Sequence, residues 1–257
     1  MKKFIFFILI LIIPYISNAQ KWKRYRYEVL FGIGYSNFFG DLGGGAGKGG
    51  QSIISVKDID FGASRPAFFV GARYKIVERI ALKVNILYTY VSGNDKYSGN
   101  PDRQGRNESF SSPLFEQSLT AEFSVVKERY GRRYTVSNIR SLQKLHINTY
   151  LFAGIAGFSF HPKTKIDGIH IDGQPSYSTG EPYKTYQLSI PVGIGLKYGV
   201  NRKLNIGLEY GNRFTFTDFI DNHKDISPGN KSNDNYMLLN LIFTYKLRTT
   251  RSGLPKF

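Results

Sequence analysis

Tyr27-Glu28-Val29-Leu30-Phe31-Gly32-Ile33-Gly34-Tyr35-Ser36 alternates without a break. Tyr27, Val29, Phe31, Ile33 and Tyr35 fall on one side, and Glu28, Leu30, Gly32, Gly34 and Ser36 on the other. A period of two sends the two sets to opposite faces of a β-strand. The first face is large and apolar with a tyrosine at each end, the composition of a surface that meets hydrocarbon in its middle and headgroups at its edges. The second is small or polar and suits the inside of a barrel.

The same alternation recurs seven more times. Phe68, Val70, Ala72 and Tyr74 oppose Phe69, Gly71 and Arg73; Ile80 to Tyr90 oppose Lys83, Asn85 and Thr89. Leu119, Ala121, Phe123 and Val125 oppose Glu116, Ser118, Thr120 and Glu122. A less regular stretch at 144–160 places Leu145, Ile147, Leu151, Ala153 and Ile155 outward, with Asn148, Tyr150 and Gly154 inward. Leu188 to Tyr198, Leu204 to Tyr210 and Met237 to Tyr245 complete the set, with inward rows that include Lys197, Glu209, Arg213 and Lys246. These segments predict an all-β fold, an antiparallel transmembrane β-barrel of about eight strands. The links alternate in length: 40–65, 92–114, 161–183 and 217–235 are long, and 75–79, 127–143 and 199–202 are shorter. This is the pattern of a barrel with one end outside and the other in the periplasm. The 127–143 link is long for its side, and an irregular extra strand pair there is the alternative count. A soluble sandwich or lipocalin-type barrel also alternates, but it buries its apolar face. Here the polar face, full of glycines and paired charges, would make a poor soluble core.

Working outward to the N-terminus, Lys2 and Lys3 precede an apolar run from Phe4 to Ile13, and Ser17-Asn18-Ala19 follows before Gln20. That order reads as a signal peptide at 1–19, with the barrel domain at 20–257. The run is too short for a bilayer-crossing helix, which needs ~20 apolar residues. Removing Lys2 and Lys3 lowers the formal charge from +16 to +14. The chain has no Cys, which excludes disulfides and thiol chemistry. Its mean hydropathy of −0.28 does not argue against a barrel, because each strand averages a lipid face with a lumen face.

An eight-stranded lumen is just wide enough for side chains, so charges inside it need partners. Glu28, Arg73, Lys83, Glu116, Glu122, Glu209 and Arg213 form the expected lumen charge network, with Glu28 level with Arg73 and Lys83 level with Glu122. A polar plug that fixes strand register is the plain reading; a proton or ion path is the sharper one.

Other motifs carry less. The glycine run at 43–50 contains Lys48, but Gly49 follows it where a phosphate loop needs Ser or Thr. Ser159, His161, His170 and His223 lie toward the outer side with Asp218, Asp221 and Asp225, in no spacing specific to a catalytic mechanism. No catalytic residue, metal site or cofactor is expected, and export removes nucleic acid as a partner. Cations do cluster by side. Lys21, Lys23, Arg24 and Arg26, then Arg129, Arg132, Arg133 and Arg140, then Arg248, Arg251 and Lys256 all belong to the periplasmic end, where Glu78 and Glu128 are the clear acids. Such a collar is either solvated or headgroup-bound, or it docks an acidic periplasmic partner.

Two short segments resemble a known family. Asn37-Phe38-Phe39-Gly40-Asp41-Leu42-Gly43 is similar to the Tyr/Phe-x-Gly-Asp-Leu-Gly signature of a Bacteroidota outer-membrane barrel family. Residues 209–221, ending Thr217-Asp218-Phe219-Ile220-Asp221, resemble its Thr-Asp-Tyr-Leu-Asp signature, with Phe219 and Ile220 replacing Tyr and Leu. The signature residues here are Gly40, Asp41, Leu42, Asp218 and Asp221. That family, largely of unknown function, includes PorG-like barrels associated with type IX secretion. The resemblance therefore implies a non-enzymatic outer-membrane component that contacts outer-membrane lipid and a periplasmic partner of a secretion machine. A small-pore or ligand-binding surface barrel acting through its long outer loops is the alternative.

Overall fold

The computed structural model describes residues 21–40, 42, 62–97, 105, 107–128, 147–224, 233–250 and 254–256. Residues 1–19, expected as a signal peptide, Asp41, the 43–50 glycine run, Asp225, and Arg129, Arg132, Arg133 and Arg140 lie outside the described residues, as does 129–143 of the link that is the alternative place for an extra strand pair.

After a 3₁₀ turn at Lys21–Tyr25, the strands are β1 (Tyr27–Phe39), β2 (Arg65–Lys75), β3 (Ile80–Asn94), β4 (Glu108–Ser124), β5 (Ile147–Phe160), β6 (Lys163–Ile166), β7 (Ile169–Asp172), β8 (Tyr186–Gly199), β9 (Leu204–Thr215), β10 (Asn235–Thr249) and β11 (Pro255–Lys256). Eight of them close a ring in the order β3-β2-β1-β10-β9-β8-β5-β4, with β4 pairing back onto β3. All pairings are antiparallel.

The register fixes the barrel's geometry. Tyr27 lies opposite Tyr74, then Leu82, Ala121, Ala153, Val192, Asn212 and Met237 follow in turn, and Met237 lies opposite Asn37. One circuit therefore climbs from Tyr27 to Asn37. A stagger of that size over eight strands, at ~3.3 Å rise and ~4.8 Å spacing, tilts the strands by about 40°.

Along β1, Glu28 and Leu30 are buried while Phe31 and Ile33 are exposed. The outer wall carries Phe68, Val84, Ile86, Leu119, Ile155, Leu188 and Leu208 in the open, Ile155 at 66% exposure. An apolar belt of this extent is unstable in water and matches a hydrocarbon layer. At the outer lip the rule relaxes. Met237 is in the outward row but only 2% exposed, and its register neighbours Asn37 and Asn212 are also covered. The Ser64 hydroxyl donates to Asn37 Oδ1 there (3.1 Å).

Two details depart from the sequence reading. Strands β3 and β4 rise further, so the link between them spans 95–107 rather than 92–114. Strand β5 is described from Ile147 on, and residues 144–146 of the expected strand, Leu145 among them, lie outside the described residues. A hairpin, β6–β7, occupies the 161–183 link; β6 extends the sheet by pairing with β4 from Glu108 to Ser111. Its turn is Asp167-Gly168, both with positive φ (46° and 88°), as a two-residue type I′ turn requires.

Candidate functional site

The lumen is filled in two layers. In the inner layer, Arg73 joins the carboxylates of two other strands. Its Nη1 donates to Glu28 Oε2 (2.8 Å) and its Nη2 to Glu122 Oε1 (2.8 Å). Its Nε lies 2.7 Å from Glu122 Oε2 but is not aligned for a hydrogen bond. Lys83 Nζ reaches Glu209 (2.5 Å) and, at longer range, Glu122 (3.4 Å). The Tyr150 hydroxyl also donates to Glu209 (2.8 Å). Lys197 lies 3.6 Å from Glu122 and sits over the Tyr150 ring. Lys75 Nζ pairs with Glu28 Oε1 (2.6 Å). These groups are essentially solvent-free, so each charge depends on its neighbours.

Glycines make room for the rings. A side chain at Gly195 would collide with the Tyr150 ring, and one at Gly193 with Phe152. This explains why the inward rows of β8 and β9 mix glycines with charges: the aromatic bulk comes from β5, the strand beside β8, where Tyr150 lies opposite Gly195 and Phe152 opposite Gly193.

Glu128, read from sequence as a rim acid offsetting the collar, is turned into the barrel mouth instead. It pairs with Lys75 (2.5 Å) and Lys246 and accepts from Asn205 Nδ2 (2.9 Å). Burial alone would raise its carboxyl. Lys75, Lys246 and Lys197 outweigh that and hold it well below the usual carboxylate range. Lys75, Lys197, Lys246 and Glu128 were absent from the expected network. The alternation already marks the first three as inward. Nothing in the pattern marks Glu128, which follows the end of β4.

Higher in the lumen, Arg213 Nε lies 3.4 Å from Glu116, whose carboxylate also accepts from the Tyr236 hydroxyl (2.7 Å). Above them the filling turns apolar. Val91, Phe110, Leu114, Phe158 and Phe160 from the wall meet Leu42, Tyr183 and Ile220 from the outer loops, and Leu30, Phe69 and Leu87 continue the cluster lower down the wall. Phe160, Tyr183 and Phe219 stack face to face, with centroids 6.0 and 4.8 Å apart.

The two family-like signatures meet in this outer layer. The Leu42 amide donates to Asp221 Oδ2 (3.2 Å), the His223 amide to Asp221 Oδ1 (2.9 Å), and the Thr164 hydroxyl to the Asp221 carbonyl (3.1 Å). The Ile220 amide donates to Asp234 (2.8 Å). A side chain at Gly40 would strike the Phe38 ring and the Asp234 carboxylate. Asp218 is half-buried beside this knot. Leu42 and Asp221 are therefore structural here, holding loop backbone inside the mouth. Burial, with help from Asp221, pushes the Tyr183 phenol up to about 12, so it remains a donor, to Asn222 Oδ1 (3.0 Å).

The remaining candidates are scattered. His161's amide donates to the Ser112 hydroxyl (3.1 Å), and Ser159 lies in β5 opposite Phe115 and Tyr186. His170 lies on β7 and His223 packs on Tyr177. Among the described residues, no three His, Cys, Asp or Glu side chains are grouped to hold a metal ion.

The chain belongs to the DUF6089 family, described as a domain of unknown function, whose model matches residues 2–250. No curated protein sequence matches it significantly. Its fold is similar to solved barrels. These include Ail, the attachment invasion locus protein of Yersinia pestis, at 11% identity and TM-score 0.44, over 87% of this chain and 99% of that one. Neisserial surface protein A follows at 12% identity and 0.40, over 86% and 96%. The N-terminal β-barrel domain of Pseudomonas aeruginosa OprF has 10% identity and 0.40, over 86% and 98%.

Proposed function

We propose that this DUF6089 barrel is a non-enzymatic component of the bacterial outer membrane that acts through its faces and passes no solute through its lumen. The observation that carries this reading is the two-layer filling: buried ion pairs across the inner mouth and an aromatic plug, stitched to the outer loops, across the outer one. The finer role is that of an assembly part, of the kind the PorG-like resemblance implies for type IX secretion. It docks a periplasmic partner through the basic inner rim, with Arg129, Arg132, Arg133 and Arg140 as the contact set. A rim rich in cations favours an acidic partner through steering and complementarity.

Two measurements test this. Planar-bilayer recording of the purified barrel is expected to show no reproducible conductance; solute-permeable channels would overturn the closed-lumen reading. Affinity capture from native envelopes, with Arg129, Arg132, Arg133 and Arg140 changed to Gln, is expected to lose a periplasmic partner. Unchanged partners and unchanged secretion would refute the docking role.

A second reading, ligand binding at the cell surface, is favoured by one feature. The β6–β7 hairpin stands above the barrel with β7 at the end of its sheet and Ile169 70% exposed. An unpaired edge of this kind accepts an extended segment. Whole-cell binding with and without residues 167–168 replaced by Pro-Pro would separate it from the first.

A further inference from the structure

The inner rim is not evenly charged. Its segments, residues 21–26, 75–79, 125–146, 200–203 and 247–257, contain two acids in all, Glu78 and Glu128. Both stand in links on the same half of the barrel, β2–β3 and β4–β5. Glu78 pairs with Lys127 (2.6 Å), and Glu128 is turned into the lumen against Lys75 and Lys246. The other half, where β1, β10 and β9 end, carries Lys23, Arg24, Arg26, Arg202, Lys203 and Arg248 with no acid in its segments.

Two of those cations are held on the outside of the wall. The Arg26 guanidinium lies 4.8 Å from the centre of the Trp22 ring and donates to the Tyr74 hydroxyl (3.2 Å). Lys203 Nζ is 3.5 Å from the Tyr245 hydroxyl, leaning over that ring. Tyr74 and Tyr245 are the lowest outward aromatics of rows that continue upward as Ala72-Val70-Phe68 and Phe243-Leu241-Leu239, with one apolar residue, Ile76 or Leu247, below each. Both cations thus sit near the foot of the apolar belt, on the hydrocarbon side of the rim. A protein approaching from the periplasm would not meet them first. They also bracket one strand end: the Arg26 amide donates to Thr249 Oγ1 (3.4 Å), and the Lys246 amide donates to the Lys203 carbonyl (2.7 Å). With β10 between them, two strand spacings separate their backbones by roughly 10 Å.

Cations on interfacial aromatics at the border of an apolar wall select phosphate headgroups. We propose that this sector is a binding site for an anionic glycerophospholipid of the periplasmic leaflet, its phosphate held between Arg26 and Lys203 and flanked by Lys23, which shares the Trp22 ring with Arg26. The inference rests on the reading that the barrel spans the outer membrane, and it is independent of any periplasmic partner.

The test uses the full mature chain in nanodiscs of phosphatidylcholine with or without phosphatidylglycerol, with retained lipid counted by native mass spectrometry. Wild type is expected to retain phosphatidylglycerol in preference to phosphatidylcholine, and the preference falls as salt is raised. Each removed cation weakens it about fivefold, so R26Q/K203Q loses about 25-fold. K127Q, on the balanced half, leaves it unchanged. Equal retention of both lipids, no salt dependence in wild type, or an R26Q/K203Q protein that keeps the preference would overturn the site while leaving the membrane reading intact. So would an acidic protein cross-linking at positions 26 and 203 in place of lipid. A chain that enters neither bilayer would overturn the membrane reading itself. The wild-type salt titration decides the matter even where R26Q/K203Q does not fold.

Discussion

Replacing Arg73 with Met tests whether the inner layer is a stabilising element. The residue is 2% exposed and its guanidinium bonds carboxylates from β1 and β4. Methionine approximates its stem and removes the charge, leaving Glu28 and Glu122 with fewer partners. Removing one member of a buried ion pair costs about 3–5 kcal/mol. Glu28 keeps Lys75 at 2.6 Å, and Glu122 keeps Lys83 at 3.4 Å and Lys197 at 3.6 Å. These remaining contacts put the expected loss at the low end, about 3 kcal/mol. Equilibrium denaturant unfolding in lipid vesicles measures it, followed by the fluorescence of Trp22, the single tryptophan. The companion variant Glu122→Gln and the double variant complete a cycle. Because the two groups touch, the double variant is expected to fall short of the summed single losses by about 2 kcal/mol. A loss below about 1 kcal/mol for Arg73→Met, or strict additivity in the cycle, would refute the claim that these charges are mutually dependent.

Glu128→Gln tests the acid at the inner mouth. Its folded carboxyl is held below the ordinary 4.5, so its contribution is fully present above that value and is lost as pH falls through the depressed one. The stability gap between wild type and Glu128→Gln is therefore expected to be constant near neutrality and to close on acidification; a gap that widens in acid contradicts the assignment. Leu42→Ala removes a buried side chain from the outer plug, at a cost of about 2–5 kcal/mol. It is expected to expose the outer loops to protease, read as faster surface cleavage on intact cells. Gly195→Val displaces the Tyr150 ring and is expected to abolish the heat-modifiable folded band on gels, with Tyr150→Ala in the same chain restoring it.

The eight wall strands are legible because each repeats one signal, an apolar residue at every second position, over seven or more residues. Ile80 to Tyr90 is the plainest case. The hairpin at 163–172 escaped that test because its strands have four residues each and Lys163-Thr164-Lys165 looks like loop. The Asp167-Gly168 pair was its available sign. The charged residues of the lumen could be named from their parity, but Lys83 reaching Glu209 as well as Glu122 follows from the stagger, which emerges only when the ring closes. The outer plug was invisible for a different reason. Leu42, Tyr183 and Ile220 lie in loops, where burial follows no period, and only their place beside the signature residues distinguished two of them.

The loop residues in the outer mouth also bear on rates. The Leu42–Asp221 contact joins positions 179 residues apart, so it forms only after the first and last wall strands have come together. Contacts made that late are absent when the wall first closes, and they leave the speed of insertion untouched. Withdrawal runs the other way: the loops must be pulled from their aromatic seat before neighbouring strands can part, which adds to the barrier for leaving the membrane. The outer layer works as a ratchet, admitting the chain to its membrane and slowing its exit.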